Sequence, residues 1–275
     1  MKKTFVVGDK WLYYKIYCGV TTADTILLKV IKPLTEELLA LKKIKKWFFI
    51  RYSDPKPHLR FRVELINIQN LGEVIENVKK ILKPYIISNQ VWDIQLCTYT
   101  RELERYGKNT IEKAESFFYV DSETILGIIE SSKNDEIRFI TLFNWIENIL
   151  TFFKFEDQHL LFFLQNMEQR FKEEFNSNVL LKKGLNREYR KLESPLLSKN
   201  NSEFLNEEKI REVMEKFLLL HKKKALEVSL ENLLASFIHM SINRCFRSRQ
   251  RLYEMILYDF LYLKSKSKYM RYGKL

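Results

Sequence analysis

Arg60 and Arg62 stand two residues apart in HLRFRVEL, positions 58–65, and their spacing points to chemistry before anything else in the sequence does. In a strand, alternate side chains share a face, so these two guanidinium groups point the same way, roughly 7 Å apart. Like charges held together repel, and the pair is tolerable in solvent, opposite an acid, or in a site that takes an anion. Arg101, Arg105 and Arg244 extend the set. A guanidinium engages a carboxylate through two parallel hydrogen bonds, and a hydrogen bond to a charged group is worth about 1.5–3 kcal/mol. The plain alternative for all five is a basic surface that serves solubility.

The second candidate is His239, in ASFIHMSINRCFRSRQRLYE. On a helix His239 and Asn243 share a face, and Arg247 and Gln250 continue the stripe. Set among Phe237, Ile238 and Met240, such a stripe either lines a cavity or is a hydrogen-bonded core histidine beside a solvated basic face. A neutral imidazole in a cavity would exchange protons near pH 7. Of the other histidines, His221 opens an HKKK run and is expected in solvent, while His159 sits in an aromatic helical segment and is expected packed or at an edge. No HExxH, CxxC or paired His/Cys pattern is present, so no metal is expected. No GxGxxG or GxxxxGK[ST] loop marks a nucleotide site.

Composition bounds the remaining choices. The chain has 275 residues, 46% hydrophobic, with 20 Phe and 14 Tyr for a packed core and only 7 Gly and 5 Pro, which excludes a collagen-like or linker-rich chain. A formal charge of +12 favours anionic partners without choosing among nucleic acid, acidic peptide and membrane surface. The abundance of Lys, Ile and Asn is also what an A/T-rich genome would give. Most aromatics fall at core periodicity, which weighs against stacking on single-stranded nucleic acid. Cys18, Cys97 and Cys245 lie far apart, and a reducing compartment fits. The N-terminus reads as a first strand region rather than a signal peptide. The apolar runs end in charge well short of a membrane span.

These side chains must be positioned by elements, and the patterning supplies them. WLYYKIYC at 11–18 reads as a strand, and the run after Asp24 as a helix that Pro33 splits or restarts. WFFIRY at 47–52, the turn SDPKP and HLRFRVEL form an antiparallel hairpin, with Leu59, Phe61 and Val63 on one face and His58, Arg60, Arg62 and Glu64 on the other. Residues 69–84 read as a helix and 91–100 as a strand. Asn109 or Thr110 is expected to cap the next helix, and Asp121 or Ser122 the one after. Helix dominates beyond about 125: 138–168, 210–224 and 228–265 carry helical spacing, while 176–209 reads as a surface loop or mobile connection. The expected fold class is α+β, a mixed strand/helix part with an antiparallel sheet over 1–125 and a mainly helical part over 126–275, packed as a single domain over 1–275.

WLYYKIYCG at 11–19, WFFIRYSDPKPHLRFRVEL at 47–65, RELERYGKNTIEKAESFFYVDS at 101–122 and SFIHMSINRC at 236–245 stand in this order. Together they resemble the C-terminal, glutamate-eliminating domain of class I lantibiotic dehydratases, a domain family that also occurs as stand-alone proteins in thiopeptide biosynthesis. The likeness spans nearly the whole chain, and 125–225 contributes little to it. The resemblance implies a lyase that removes glutamate from glutamylated Ser or Thr of a ribosomally made precursor peptide, leaving dehydroalanine or dehydrobutyrine. It implies that Arg60, Arg62 and Arg101 grip the glutamyl adduct and that His239 is the acid or base nearest the reacting atoms, with Arg105, Asn243 and Arg244 shaping the pocket. His239 should then face Arg60 and Arg62 across one pocket.

On this reading no cofactor is needed. The partners are the precursor peptide with its leader and a separate tRNA-dependent glutamylating protein, since the chain is too short to hold that activity too. A cyclase in a complex and a homodimer are compatible, and no direct nucleic-acid binding is required. The setting is cytoplasmic, with a place at the periphery of a membrane-associated biosynthetic complex allowed. Two departures bear on substrate range: the chain is shorter than the usual fused domain, and its middle is hard to match. The rivals are a stand-alone [4+2] cyclisation enzyme of the thiopeptide type and a non-catalytic leader-peptide-binding subunit. The presence of all three arginines and the histidine favours elimination.

Overall fold

The computed structural model describes residues 1–153, 155–197 and 206–272. Its strands are β1 (Thr4–Phe5), β2 (Trp11–Cys18), β3 (Ile44–Tyr52), β4 (His58–Leu65), β5 (Val91–Cys97) and β6 (Tyr99–Thr100). Its helices are α1 (Val20–Ile26), α2 (Lys32–Ala40), α3 (Leu71–Ile87), α4 (Leu103–Tyr106), α5 (Ile111–Ser131), α6 (Asp135–Phe153), α7 (Asp157–Glu174), α8 (Val179–Leu197), α9 (Glu207–Lys222), α10 (Leu230–Cys245) and α11 (Gln250–Tyr272). The chain is mixed strand and helix at first and mainly helical afterwards, as its patterning predicts. It divides into two compact units, one of Met1–Ser132 with Asn206–Ser248, the other of Lys133–Leu205 with Arg249–Leu275.

In the first unit, β3-β4-β2-β5 form one antiparallel sheet, and β1 pairs with β6 separately. With its helices the sheet has the βαββαβ order of a ferredoxin-like motif. Alternation along β4 sends Leu59, Phe61 and Val63 to the face covered by α1, α2 and α3, where all three are buried. Trp47, Phe49 and Tyr14 share that face, and burying each large apolar side chain contributes roughly 1.5–3 kcal/mol. Pro33 does not end its helix. A π-helical stretch, Leu27–Ile31, precedes it, and Pro33 falls in the first turn of α2, where a missing N–H is tolerated.

The outer edge of β3 is closed by side chains. Ser122 Oγ accepts from Phe49 N at 3.3 Å, and Arg244 Nε donates to Phe49 O at 2.8 Å. Asn243 Oδ1 accepts from Arg51 N at 2.9 Å, and its Nδ2 donates to Arg51 O at 3.0 Å. Two helices, α5 and α10, therefore satisfy the backbone groups that an edge strand would otherwise leave open.

Three local expectations are corrected. Asp121 and Ser122 cap nothing: both are buried inside α5, where tertiary partners take their polar atoms. Thr110 does sit at the start of α5, but its hydroxyl donates back to the Tyr106 carbonyl instead of capping. The span 228–265 is two helices, because Phe246 is extended and Arg249 has a φ of 55°. Arg247, just past the end of α10, bonds Asp24 Oδ2 through its Nε at 2.7 Å, so it does not continue the His239–Asn243 helical stripe.

The second unit is helical. Phe171 of α7 stacks on Tyr258 of α11 at 5.5 Å, and Phe139 of α6 meets Phe260 edge-on at 5.7 Å. The segment read as a loop holds α8, with Asn178 Oδ1 accepting from Leu181 N at its start; residues 198–205 lie outside the described chain. No helix among the described residues is long and apolar enough to cross a membrane.

Candidate active site

The polar face of the sheet, opposite α1, α2 and α3, carries His58, Arg60 and Arg62 from β4. Register sets Tyr52, Ile50 and Phe48 of β3 beside them on one side, and Tyr17, Lys15 and Tyr13 of β2 on the other. Aromatic rings therefore enclose the cations. The Arg62 guanidinium carbon lies 4.3 Å from the centroid of Tyr13, 4.9 Å from Tyr99 and 5.3 Å from Phe48. Arg62 is only 8% exposed, and its Nε is buried without a hydrogen-bond partner. Arg60, half-buried, stacks on Tyr52 at 3.4 Å and donates from Nε to His58 Nε2 at 3.3 Å.

The other buried arginines of this unit differ in one respect: each meets a carboxylate. Arg51 bonds Asp24 at 2.5 Å. Arg244 bonds Asp121 at 2.9 Å, and Ser241 holds the second Asp121 oxygen at 2.7 Å. Arg101 forms a two-pronged pair with Glu115, both bonds 2.7 Å, and donates to the Lys2 carbonyl at 3.1 Å. Among the described residues, Arg60 and Arg62 have no carboxylate within ion-pair distance. Burial lowers the Arg62 pKa from the ordinary arginine value; Tyr99, Tyr13 and, from beyond ion-pair distance, Glu102 oppose the fall, and Arg60 adds to it. An arginine nevertheless stays protonated, so Arg62 is a desolvated cation in want of an anion.

The sequence candidates thus separate. Arg60 and Arg62 come together with open donors. Arg101 is linked to Arg62 at one remove: Tyr99 donates to Glu115, the partner of Arg101, at 3.0 Å and packs against Arg62. Arg244 and Asn243 hold the β3 edge. Arg105 of α4 donates to Ser236 of α10 at 3.1 Å. His239, half-buried, lies on α10 between that contact and the Asn243 clasp. Tyr106 ties these together: burial pushes its pKa up to about 12, and Arg105, Arg244 and Arg62 all pull it back. Tyr106 also stacks on Phe237 of α10 at 6.2 Å.

His58, Lys15, Tyr13, Tyr52, Tyr99 and Tyr106 belong to the site as well. The signal for three of them was present, since His58 alternates with Arg60 and Arg62, and Lys15 alternates with Tyr13 in WLYYKIYC. Tyr52, Tyr99 and Tyr106 join only through the fold.

Against known proteins, the model of the lantibiotic biosynthesis dehydratase C-terminal family matches residues 11–265. The chain belongs to that family. It is 26% identical over 271 residues to the epidermin biosynthesis protein EpiB of Staphylococcus epidermidis, a match covering 94% of this chain and 26% of EpiB. It is 29% identical over 178 residues to the nisin biosynthesis protein NisB of Lactococcus lactis subsp. lactis, covering 62% of this chain and 17% of NisB. The family's fold recurs in the tRNA-dependent lantibiotic dehydratase MibB from Microbispora sp. 107891, with a TM-score of 0.74 and 18% identity over 98% of this chain and 29% of that one. It recurs too in the pyridine synthase TbtD from thiomuracin biosynthesis, with a TM-score of 0.68 and 11% identity over 94% of this chain and 98% of that one. The chain thus spans 17–29% of the length of NisB, EpiB and MibB.

Proposed function

We propose that this chain is a lyase that eliminates glutamate from glutamylated Ser and Thr residues of a ribosomally made precursor peptide. The observation that carries the reading is the Arg60–Arg62 pair: two adjacent cations without a carboxylate, one of them desolvated among Tyr13, Tyr99 and Phe48. A glutamyl ester presents one free carboxylate and, as it leaves, generates a second. In the reaction the Cα–H bond and the Cβ–O bond break, a Cα=Cβ double bond forms, and glutamate departs as the carboxylate. Cations in a site with little water stabilise that developing charge far more than they would in solvent. A desolvated guanidinium that lacks an anion until substrate arrives is suited to this use.

We assign His239 of α10 the proton-transfer role, with Arg105, whose Nε donates to Ser236 of the same helix, shaping the pocket. Arg101, Asn243 and Arg244 support the site at one remove. Family membership together with 26–29% identity to lantibiotic biosynthesis proteins supports the activity. The glutamylated peptide is supplied by a tRNA-dependent glutamylating partner, and the leader accompanies it. A pyridine-forming cyclisation draws support only from the fold shared with TbtD.

The decisive experiment supplies a pre-glutamylated precursor peptide and follows its mass. Loss of glutamate to a dehydroamino acid is the expected result. A peptide left unchanged in the presence of its leader and glutamylating partner overturns the reading.

A further inference from the structure

His58 is a buried imidazole on the cationic face, and its hydrogen bonds define its protonation. It is 3% exposed, held between the rings of Tyr17 at 4.7 Å and Tyr52 at 5.4 Å. Its Nδ1 lies 2.8 Å from the Lys56 carbonyl oxygen. A carbonyl only accepts, so Nδ1 carries the proton. Nε2 of the neutral ring then keeps its lone pair, and the Arg60 Nε–H at 3.3 Å points to it.

Arg60 is thereby fixed in two ways. Stacking on Tyr52 at 3.4 Å sets the plane of the guanidinium, and the bond to His58 sets its rotation within that plane. A guanidinium can meet a carboxylate side-on, through Nε and one terminal nitrogen, or end-on, through both terminal nitrogens. We infer that His58 is a positioning residue of the anion site: by accepting the Arg60 Nε–H, it closes the side-on approach and aims the two terminal nitrogens at the substrate carboxylate. The inference rests on the reading of Arg60 and Arg62 as the glutamyl-carboxylate site and adds the residue that orients one of them.

The arrangement works only with a neutral ring. An imidazolium would lose the acceptor and set a second cation against Arg60. The charged and titratable groups around His58 are Tyr17 and Lys15 from β2, Tyr52 from β3, Arg60 from β4, Asp93 from β5 opposite Tyr17, and Asp54 in the turn. Burial, above all, holds the His58 pKa below the ordinary histidine value; the Lys56 bond and Asp54 oppose this, and Arg60 and Lys15 reinforce it. Carboxylate affinity is therefore full at neutral pH and falls as the medium is acidified below about pH 6.5.

The test titrates free L-glutamate into the full chain by calorimetry and follows the side-chain nitrogens of His58 and Arg60 by 15N NMR. His58→Phe keeps a ring between Tyr17 and Tyr52 but removes the acceptor, and should weaken glutamate binding about tenfold. His58→Gln keeps an acceptor, and should bind near the wild-type level at pH 7 while losing the decline that the wild type shows below about pH 6.5. In the wild type, His58 should show the Nδ1–H tautomer, with the Arg60 Nε resonance shifting in His58→Phe and not in His58→Gln. If Arg60→Ala loses binding while folded His58→Phe binds as the wild type does, the positioning role fails and the site reading stands. If Arg60→Ala binds like the wild type, or the wild type binds no glutamate, the site reading fails and takes the inference with it. An Nε2–H tautomer overturns the positioning role whatever the titration shows.

Discussion

Asn243 hydrogen-bonds both the N–H and the C=O of Arg51, 192 residues away, and so pairs with an edge strand as another strand would. Arg51 answers by donating from Nε to the Arg244 carbonyl at 2.8 Å, taking up one of the open carbonyls at the end of α10. The helix that carries His239 is thereby locked to the hairpin that carries Arg60 and Arg62.

Asn243→Ala should leave both Arg51 backbone groups without their partner and destabilise the protein by about 1–3 kcal/mol. A thermal melt measures this. If the melting temperature does not move, the clasp is ornamental. Asn243→Asp keeps the acceptor and loses the donor, and should fall between the two.

Arg62→Met should separate stability from function. The side chain is desolvated and has no carboxylate, so replacing it with an apolar chain of similar length removes an uncompensated charge. The expected result is a melting temperature equal to or above that of the wild type, with elimination slowed by about 10²-fold or more. A variant that is destabilised yet fully active would contradict the assignment.

Arg101→Ala should behave in the opposite way. It takes the two-pronged partner from Glu115, which is fully buried and keeps only Tyr99 and the more distant Lys46, and breaking such a pair costs up to about 3–5 kcal/mol. Arg101→Met combined with Glu115→Leu should recover much of the loss in a denaturant titration. Failure of the double variant to recover anything would mean that the remaining partners, Tyr99 and Lys46, depend on Glu115 more than on Arg101.

His239→Gln should accumulate the glutamylated peptide while binding free glutamate as tightly as the wild type. A general acid or base contributes about 10²–10⁴-fold to rate, and that loss should appear in kcat rather than in affinity. Wild-type turnover would remove His239 from the chemistry.

Stability should vary with pH through His58. Its folded pKa lies below its unfolded value, so between the two the unfolded chain binds more protons and stability rises with pH. The contribution is complete above about pH 6.5 and is lost as pH falls through the folded pKa. His58→Gln should flatten this part of the curve of unfolding free energy against pH. An unchanged slope would show that other groups set it.

The elements legible in the sequence were those with a strong local period. β2 and β4 begin and end where alternation and turn residues predict, and α9 overlaps the run where helical spacing predicts a helix. Misread elements were those whose polar residues serve distant partners. Asp121 and Ser122 look like a helix start because free Asp and Ser favour caps, yet Arg244, Ser241 and the backbone of Phe49 claim them. The break at Phe246 carries no Gly or Pro to announce it, and it is accompanied by the contacts of Arg51 and Arg247.

By itself, the sequence determined that His58, Arg60 and Arg62 share a face, because a strand's period of two is a local property of the backbone. It could not decide which arginines are neutralised. Arg101, Arg51 and Arg244 find their carboxylates 14, 27 and 123 residues away, and only folding brings them together. The same folding surrounds Arg62 with aromatic rings and brings no carboxylate to ion-pair distance among the described residues. Charge is fixed by residue type, but its compensation is a tertiary matter, and it is the missing compensation that marks the candidate site.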